Sequence, residues 1–91
     1  MSIDERDRKL KCLEDILEQP RDDQNLVAKH LFQIWHDGLW QVSDDSFAEF
    51  LQNEFEMSEA DAFILMKAAA SAGQFGEYEI EAIDKEFERL G

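Results

Sequence analysis

Between Lys29 and Lys67 the chain has no lysine or arginine, while Asp37, Asp44, Asp45, Glu49, Glu54, Glu56, Glu59 and Asp61 line that same stretch with carboxylates. A middle without cations argues against direct binding of nucleic acid, whose phosphates are held by Lys and Arg and repelled by acids. Cysteine is nearly absent as well. Cys12 stands alone, so it has no partner for an internal disulfide or a thiol metal site, as expected in a reducing compartment. No apolar run approaches the roughly 20 residues of a membrane span. The charged opening from Met1 to Lys11 is unlike a secretory signal. These absences lead to the expectation of a cytoplasmic protein with no membrane contact.

Catalytic signatures are missing too. His30 and His36 are the only histidines; six residues along a helix turns them roughly 240° apart, away from a common ion. The four-residue zinc spacing, the Gly-x-Ser-x-Gly elbow and a phosphate-cradling glycine loop do not occur. Asp22-Asp23 and Asp44-Asp45 lack the alternating oxygens and distal glutamate of a calcium loop. Their simpler explanation is negative charge at helix starts. The expectation is a non-enzymatic chain without cofactor or metal, in which His36 beside Asp37 forms at most a pH-sensitive pair.

What is present is a large acidic excess on an apolar framework. The net charge is −13, yet 44% of the residues are hydrophobic, with seven Phe and two Trp. Because these recur at helical spacing, enough surface can be buried to offset the ordering entropy. A chain this short buries only about 60 to 65% of its unfolded surface, so residues 1–91 are expected to form one acidic helical domain.

The spacing predicts five helices. Ser2 and Glu5 form a capping pair before a helix from about Ile3 to Glu18, with Leu10, Cys12, Leu13, Ile16 and Leu17 as its apolar stripe and Pro20 as its stop. Asp22, Asp23 and Asn25 offer N-caps for a second helix carrying Val27, Ala28, Leu31, Phe32, Ile34 and Trp35, closed at Gly38. Leu39 to Val42 is the one short extended candidate. Ser43 is predicted to start a third helix with Asp44 and Asp45 in its first turn and Phe47, Phe50, Leu51 and Phe55 facing inward. Ser58 starts a fourth, whose Phe63, Ile64, Leu65 and Met66 point around more than half its circumference. Gly73 and Gly76 break it. The fifth, about Glu77 to Leu90, presents Tyr78, Ile80, Ile83, Phe87 and Leu90 inward and an acidic outer face. The fold class is all-α, a compact bundle in which successive helices pack as neighbours.

Two segments share a plan of apolar helix, glycine turn, aromatic, and a second amphipathic helix ending in Glu-Phe. One runs from Phe32 through Gly38 and Trp40 to Glu54-Phe55, the other from Leu65 through Gly73 and Phe75 to Glu86-Phe87. They define a candidate pseudo-repeat of two helix-turn-helix units. At these turns the chain resembles the TerB-like, tellurite-resistance family of small helical domains, whose turns read roughly Ala-Asp-Gly, one residue, an aliphatic, Asp, two residues, Glu. Gly73-Gln74-Phe75-Gly76 with Glu79 matches the glycine, apolar and glutamate positions, and Asp37-Gly38 the start of the other turn. Ala72 and Gly76 stand where that family has aspartates. Over about residues 26–90 the resemblance therefore implies the helical architecture and a bacterial or phage accessory protein, and not a metal-linked role.

Three function readings follow. The first is an acidic protein-binding module that inhibits or regulates a basic partner, such as a nuclease, a toxin or a nucleic-acid-binding complex, by presenting carboxylates in place of phosphates. Its candidate contact residues are Asp37, Trp40, Asp44, Asp45, Glu49, Glu54, Glu56, Glu77, Glu81, Asp84 and Glu88, with Trp40 as an aromatic anchor. The second is a TerB-like stress or scaffold module with loose cation association. The third is a homodimer burying an aromatic patch around Trp40. The partner's identity and the oligomeric state stay open at this point.

Overall fold

Capping chemistry sets where the helices begin. In the computed structural model, which describes residues 3–90, Asp23 is extended and its carboxylate accepts the amides of Asn25 and Leu26, starting α2 (Gln24–His36). Ser58 accepts the amide of Asp61 and starts α4 (Glu59–Ser71). Before them runs α1 (Ile3–Leu17); Ser2, its expected cap, lies outside the described residues. Between them lie a 3₁₀ turn (Leu39–Val42) and α3 (Phe47–Glu54), and α5 (Glu77–Leu90) follows. Among the described residues these are five α-helices and no strand, so the molecule is an all-α bundle.

Glycine closes two of the helices. Gly73 takes φ 80°, and with it the Gly73 amide donates to Ala70 O and the Gln74 amide to Ala69 O, each at 3.0 Å. That pair of bonds satisfies carbonyls the end of α4 would otherwise leave orphaned. Gly38, at φ 67°, does the corresponding job after α2, its amide donating to Trp35 O at 3.3 Å. The two proposed repeat units thus share a left-handed glycine turn. They differ beyond it, since α5 packs directly along α4 while α3 packs mainly on α4 and the 3₁₀ turn.

Leu39 to Val42 is helical, not extended, and α3 begins later than Ser43. In a 3₁₀ turn residues three apart fall on one side, so this geometry sends both Leu39 and Val42 into the core, where both are buried. A strand would also have pointed Trp40 and Val42 to a common face and Leu39 away from it. The amides of Ser43 and Asp44 are consumed by Trp40 O, at 3.2 and 3.0 Å. The cap falls to Ser46, whose hydroxyl accepts the Glu49 amide at 3.1 Å. Asp44 and Asp45 therefore precede α3 and its cap, outside the first turn.

Helix α4 is central. Its buried stripe of Ala62, Phe63, Met66 and Ala69 meets α2, α3 and α5, and the Phe63 ring stands edge-on to Trp35 at 5.0 Å and to Phe47 at 6.3 Å between centroids. Sequence neighbours are not always spatial ones: α1 makes its main backbone approach to the 3₁₀ turn, and α2 to α4. Arg6 ties the first of these together by donating to Val42 O at 3.2 Å.

Four expected core residues are outside. Ile64 is 54% exposed because the stripe of α4 is one-sided. Tyr78 is 77% exposed because Ile80, Ile83 and Phe87 share a face and a residue two before Ile80 points away from it. Leu10 sits at the margin of the α1 stripe and Leu90 at the last turn of α5, and both are exposed.

Phe63→Ala should destabilise by about 3 to 5 kcal/mol, since it empties a fully enclosed ring site. Phe87 is half-buried with Lys67 Nζ 4.6 Å over its ring, and Phe87→Ala should cost distinctly less. Equal losses in urea unfolding would contradict the packing described. A Cβ added at Gly73 meets nothing within 4 Å, so Gly73→Ala should cost only the left-handed backbone penalty, about 1 to 2 kcal/mol. A loss well above that range would mean the turn is crowded.

Candidate functional site

The acids of α5 form one ribbon. Glu77, Glu81, Asp84 and Glu88 succeed one another at spacings of four, three and four, which places them along a single helical face about 16 Å long. All four are exposed. Two have partners on the protein itself: Asp84 lies 3.7 Å from Lys67 Nζ on α4, and Glu81 4.0 Å from Lys85 Nζ. Pairs this exposed contribute little, about 0.2 to 1 kcal/mol, and leave the carboxylates open to exchange. Glu86, by contrast, is half-buried and held by Arg89, whose Nε donates to it at 3.0 Å.

A second group belongs to α3 and its flanking loops. Asp45, Glu49, Glu54 and Glu56 are exposed, and among the described residues none of them makes an ion pair within 4.0 Å. Asp44 is different. It is half-buried, with Oδ1 accepting from Asn53 Nδ2 at 2.9 Å and Oδ2 from Ser43 Oγ at 2.8 Å, so it braces the loop onto α3. Trp40 is half-buried in the 3₁₀ turn, its backbone carbonyl closing the turn and its ring only partly open to a partner. Trp35 is half-buried against Phe32 and Phe63, and Phe75 is buried.

Asp37 lies in a cleft of about 390 Å³ lined also by Leu26, Lys29, His30, Phe32, Gln33, His36, Phe75 and Glu79. Helical spacing places Leu26, Lys29, His30, Gln33 and His36 side by side on α2. The two histidines thus flank one cleft with Gln33 between them, a juxtaposition that the angle between them alone concealed. His36 stacks on Phe32 with centroids 5.2 Å apart, and its Nδ1 is 3.4 Å from Asp37 Oδ1. Glu79, the glutamate of the TerB-like match, is occupied locally, because its Oε1 accepts the Gly76 amide at 3.0 Å and caps α5. Among the described residues no three His, Cys, Asp or Glu side chains are grouped to hold a metal ion. None of their helices is long and apolar enough to cross a membrane.

A second groove, about 370 Å³, opens between the α1–α2 linker, the end of α3 and α4, lined by Arg21, Gln24, Val27, Phe55, Met57, Asp61 and Leu65. No family model, curated protein or solved structure matches the chain.

Burial, with the charge of Lys29 adding to it, holds His30 below its ordinary value of 6.5. The fold therefore favours neutral His30, while the unfolded chain takes up a proton near 6.5. This contribution to stability is complete above that pH and is lost as pH falls through the window beneath it. His30→Gln should be less sensitive than the parent chain to acidification just below 6.5, read as urea midpoints on either side of that value. Identical pH dependence in the two chains would contradict the burial of the ring.

Proposed function

We propose that the chain is a non-enzymatic acidic binding protein that docks on a basic protein surface and regulates or inhibits it by standing where nucleic-acid phosphates otherwise sit. The ribbon Glu77–Glu81–Asp84–Glu88 carries the reading. Four carboxylates over about 16 Å of rigid helix give roughly one charge per 5 Å. One strand of duplex DNA carries about one per 3.4 Å of axis. The ribbon is a sparser polyanion, yet its spacing is set by the backbone of α5, so little ordering entropy is lost when it meets a complementary row of Lys and Arg. A body of charge −13 also steers a cationic partner from a distance, which raises association rates by 10-fold or more at low salt. Cationic nucleases, toxins and nucleic-acid-binding complexes present such surfaces.

The two left-handed glycine turns support a second reading, a TerB-like scaffold or stress module whose acids serve solubility and loose cation association. Titration calorimetry with divalent ions separates the two. Tight ion binding in the absence of any basic partner favours the scaffold.

Immobilised chain should retain Lys- and Arg-rich proteins from a cell lysate at low salt and release them to added duplex DNA. Affinity for a retained partner should fall steeply with salt. Replacing Glu77, Glu81 and Glu88 together by Lys should slow association about tenfold or more. An affinity indifferent to salt overturns the electrostatic mechanism.

A further inference from the structure

The second groove combines an apolar floor with two charged lining residues, Asp61 and Arg21. Val27 is buried, while Phe55, Met57 and Leu65 are half-buried and supply the floor. Its volume, about 370 Å³, corresponds to roughly a dozen waters, enough for one or two large side chains. Asp61 lines the groove, and Glu54 and Glu56 flank Phe55 in the chain. Glu56 sits at φ 52°, a left-handed backbone that costs a residue with a Cβ about 1 to 2 kcal/mol, between two residues of the floor. All three carboxylates are exposed, and among the described residues none of them makes an ion pair within 4.0 Å.

The groove already holds one cation. Arg21 reaches from the α1–α2 linker to place its guanidinium 4.2 Å from the Phe55 ring centroid, and its Nη1 donates to Glu54 O at 2.8 Å. Stacking on an aromatic face and donating to a carbonyl are contacts that any arginine can make. Arg21 is exposed, so exchange with an incoming guanidinium leaves its own charge in water.

We propose that this groove is the docking site for a basic amphipathic segment of the partner protein. The segment seats a large aliphatic or aromatic side chain on the Phe55–Met57–Leu65 floor and sets its Arg or Lys among Glu54, Glu56 and Asp61, with one guanidinium taking the place of Arg21. This rests on the reading that the partner is basic and adds what that reading lacks, an apolar anchor point. Charge complementarity selects this occupant over a second copy of the chain, since two bodies of charge −13 repel. An amphipathic helix laid in a groove is an established recognition mode with these requirements.

The test uses the full chain and a fluorescein-labelled synthetic peptide of leucine, alanine, arginine and lysine, patterned to be amphipathic as a helix. A control peptide replaces each leucine by serine at unchanged charge. Anisotropy should show the leucine peptide binding at least ~10-fold tighter than the control. Glu56→Lys combined with Asp61→Lys should weaken the leucine peptide by a similar factor, Leu65→Gln should narrow the gap between the two peptides, and Arg21→Ala should tighten binding several-fold. Thermal unfolding of each variant confirms that it is folded; Glu56, Asp61 and Arg21 are exposed, so their replacement leaves the core intact. If both peptides bind equally, or if the α5 reversal weakens the leucine peptide more than the groove reversal does, the groove assignment is overturned while the basic-partner reading stands. If neither peptide binds at low salt, both are overturned.

Discussion

Helix α4 is the element that α2, α3 and α5 share. Its stripe of Ala62, Phe63, Met66 and Ala69 combines small and large side chains, so that one helix surface accepts close approach from α2 and also offers a ring to Trp35 and Phe47. Ala28 on α2 and Ala62 on α4 are both fully buried, small side chains on two helices that pack against each other. Dispersion and hydrophobic burial at this contact hold the molecule together. The 3₁₀ turn plays a smaller version of the same part, gathering α1, α2 and α3 around Leu39 and Val42.

Charge works against that core. The described residues bury no charged side chain, so the carboxylates are held at the surface, where water and salt screen them. There, two like charges at 4 Å cost about 1 kcal/mol at the dielectric of water, and less with salt present. The fold can carry many such repulsions because each is weak and they are spread over several helices. The consequence is an inverse relation: added salt eases self-repulsion and favours the folded body, while weakening the long-range attraction for anything cationic. Local cations, Lys67 and Lys85 among them, trim the field along α5 without cancelling it.

The helix boundaries that were legible are those decided by short-range chemistry. Asp23 and Ser58 cap because a side-chain oxygen reaches amides two or three residues on, and Gly38 and Gly73 terminate because only glycine enters the left-handed region without penalty. The stretch Leu39 to Ser46 is ambiguous in sequence for a related reason. It contains two serines, each a competent cap, and a short apolar run that suits either a strand or a 3₁₀ turn; burial of both Leu39 and Val42 settled the matter. Ile64 and Tyr78 show the limit of counting apolar residues on a helix, since neither lies on the face that finds a neighbour. Of the candidate site, the α5 ribbon followed from spacing alone. The clefts did not, because Arg21 meets Phe55, and His30 shares a cleft with Phe75 and Glu79, across elements far apart in the chain.

The all-helical class, the absence of cations from the middle of the chain and the acidic face of α5 are consequences of residue order, because composition and helical periodicity act within a few residues of each other. Which apolar side chains are enclosed, which carboxylates stand without a partner and where a floor opens beside them were decided by how α1 to α5 and the 3₁₀ turn meet. Those outcomes depend on contacts between residues distant in sequence, and no local pattern encodes the distance between two surfaces that only packing brings together.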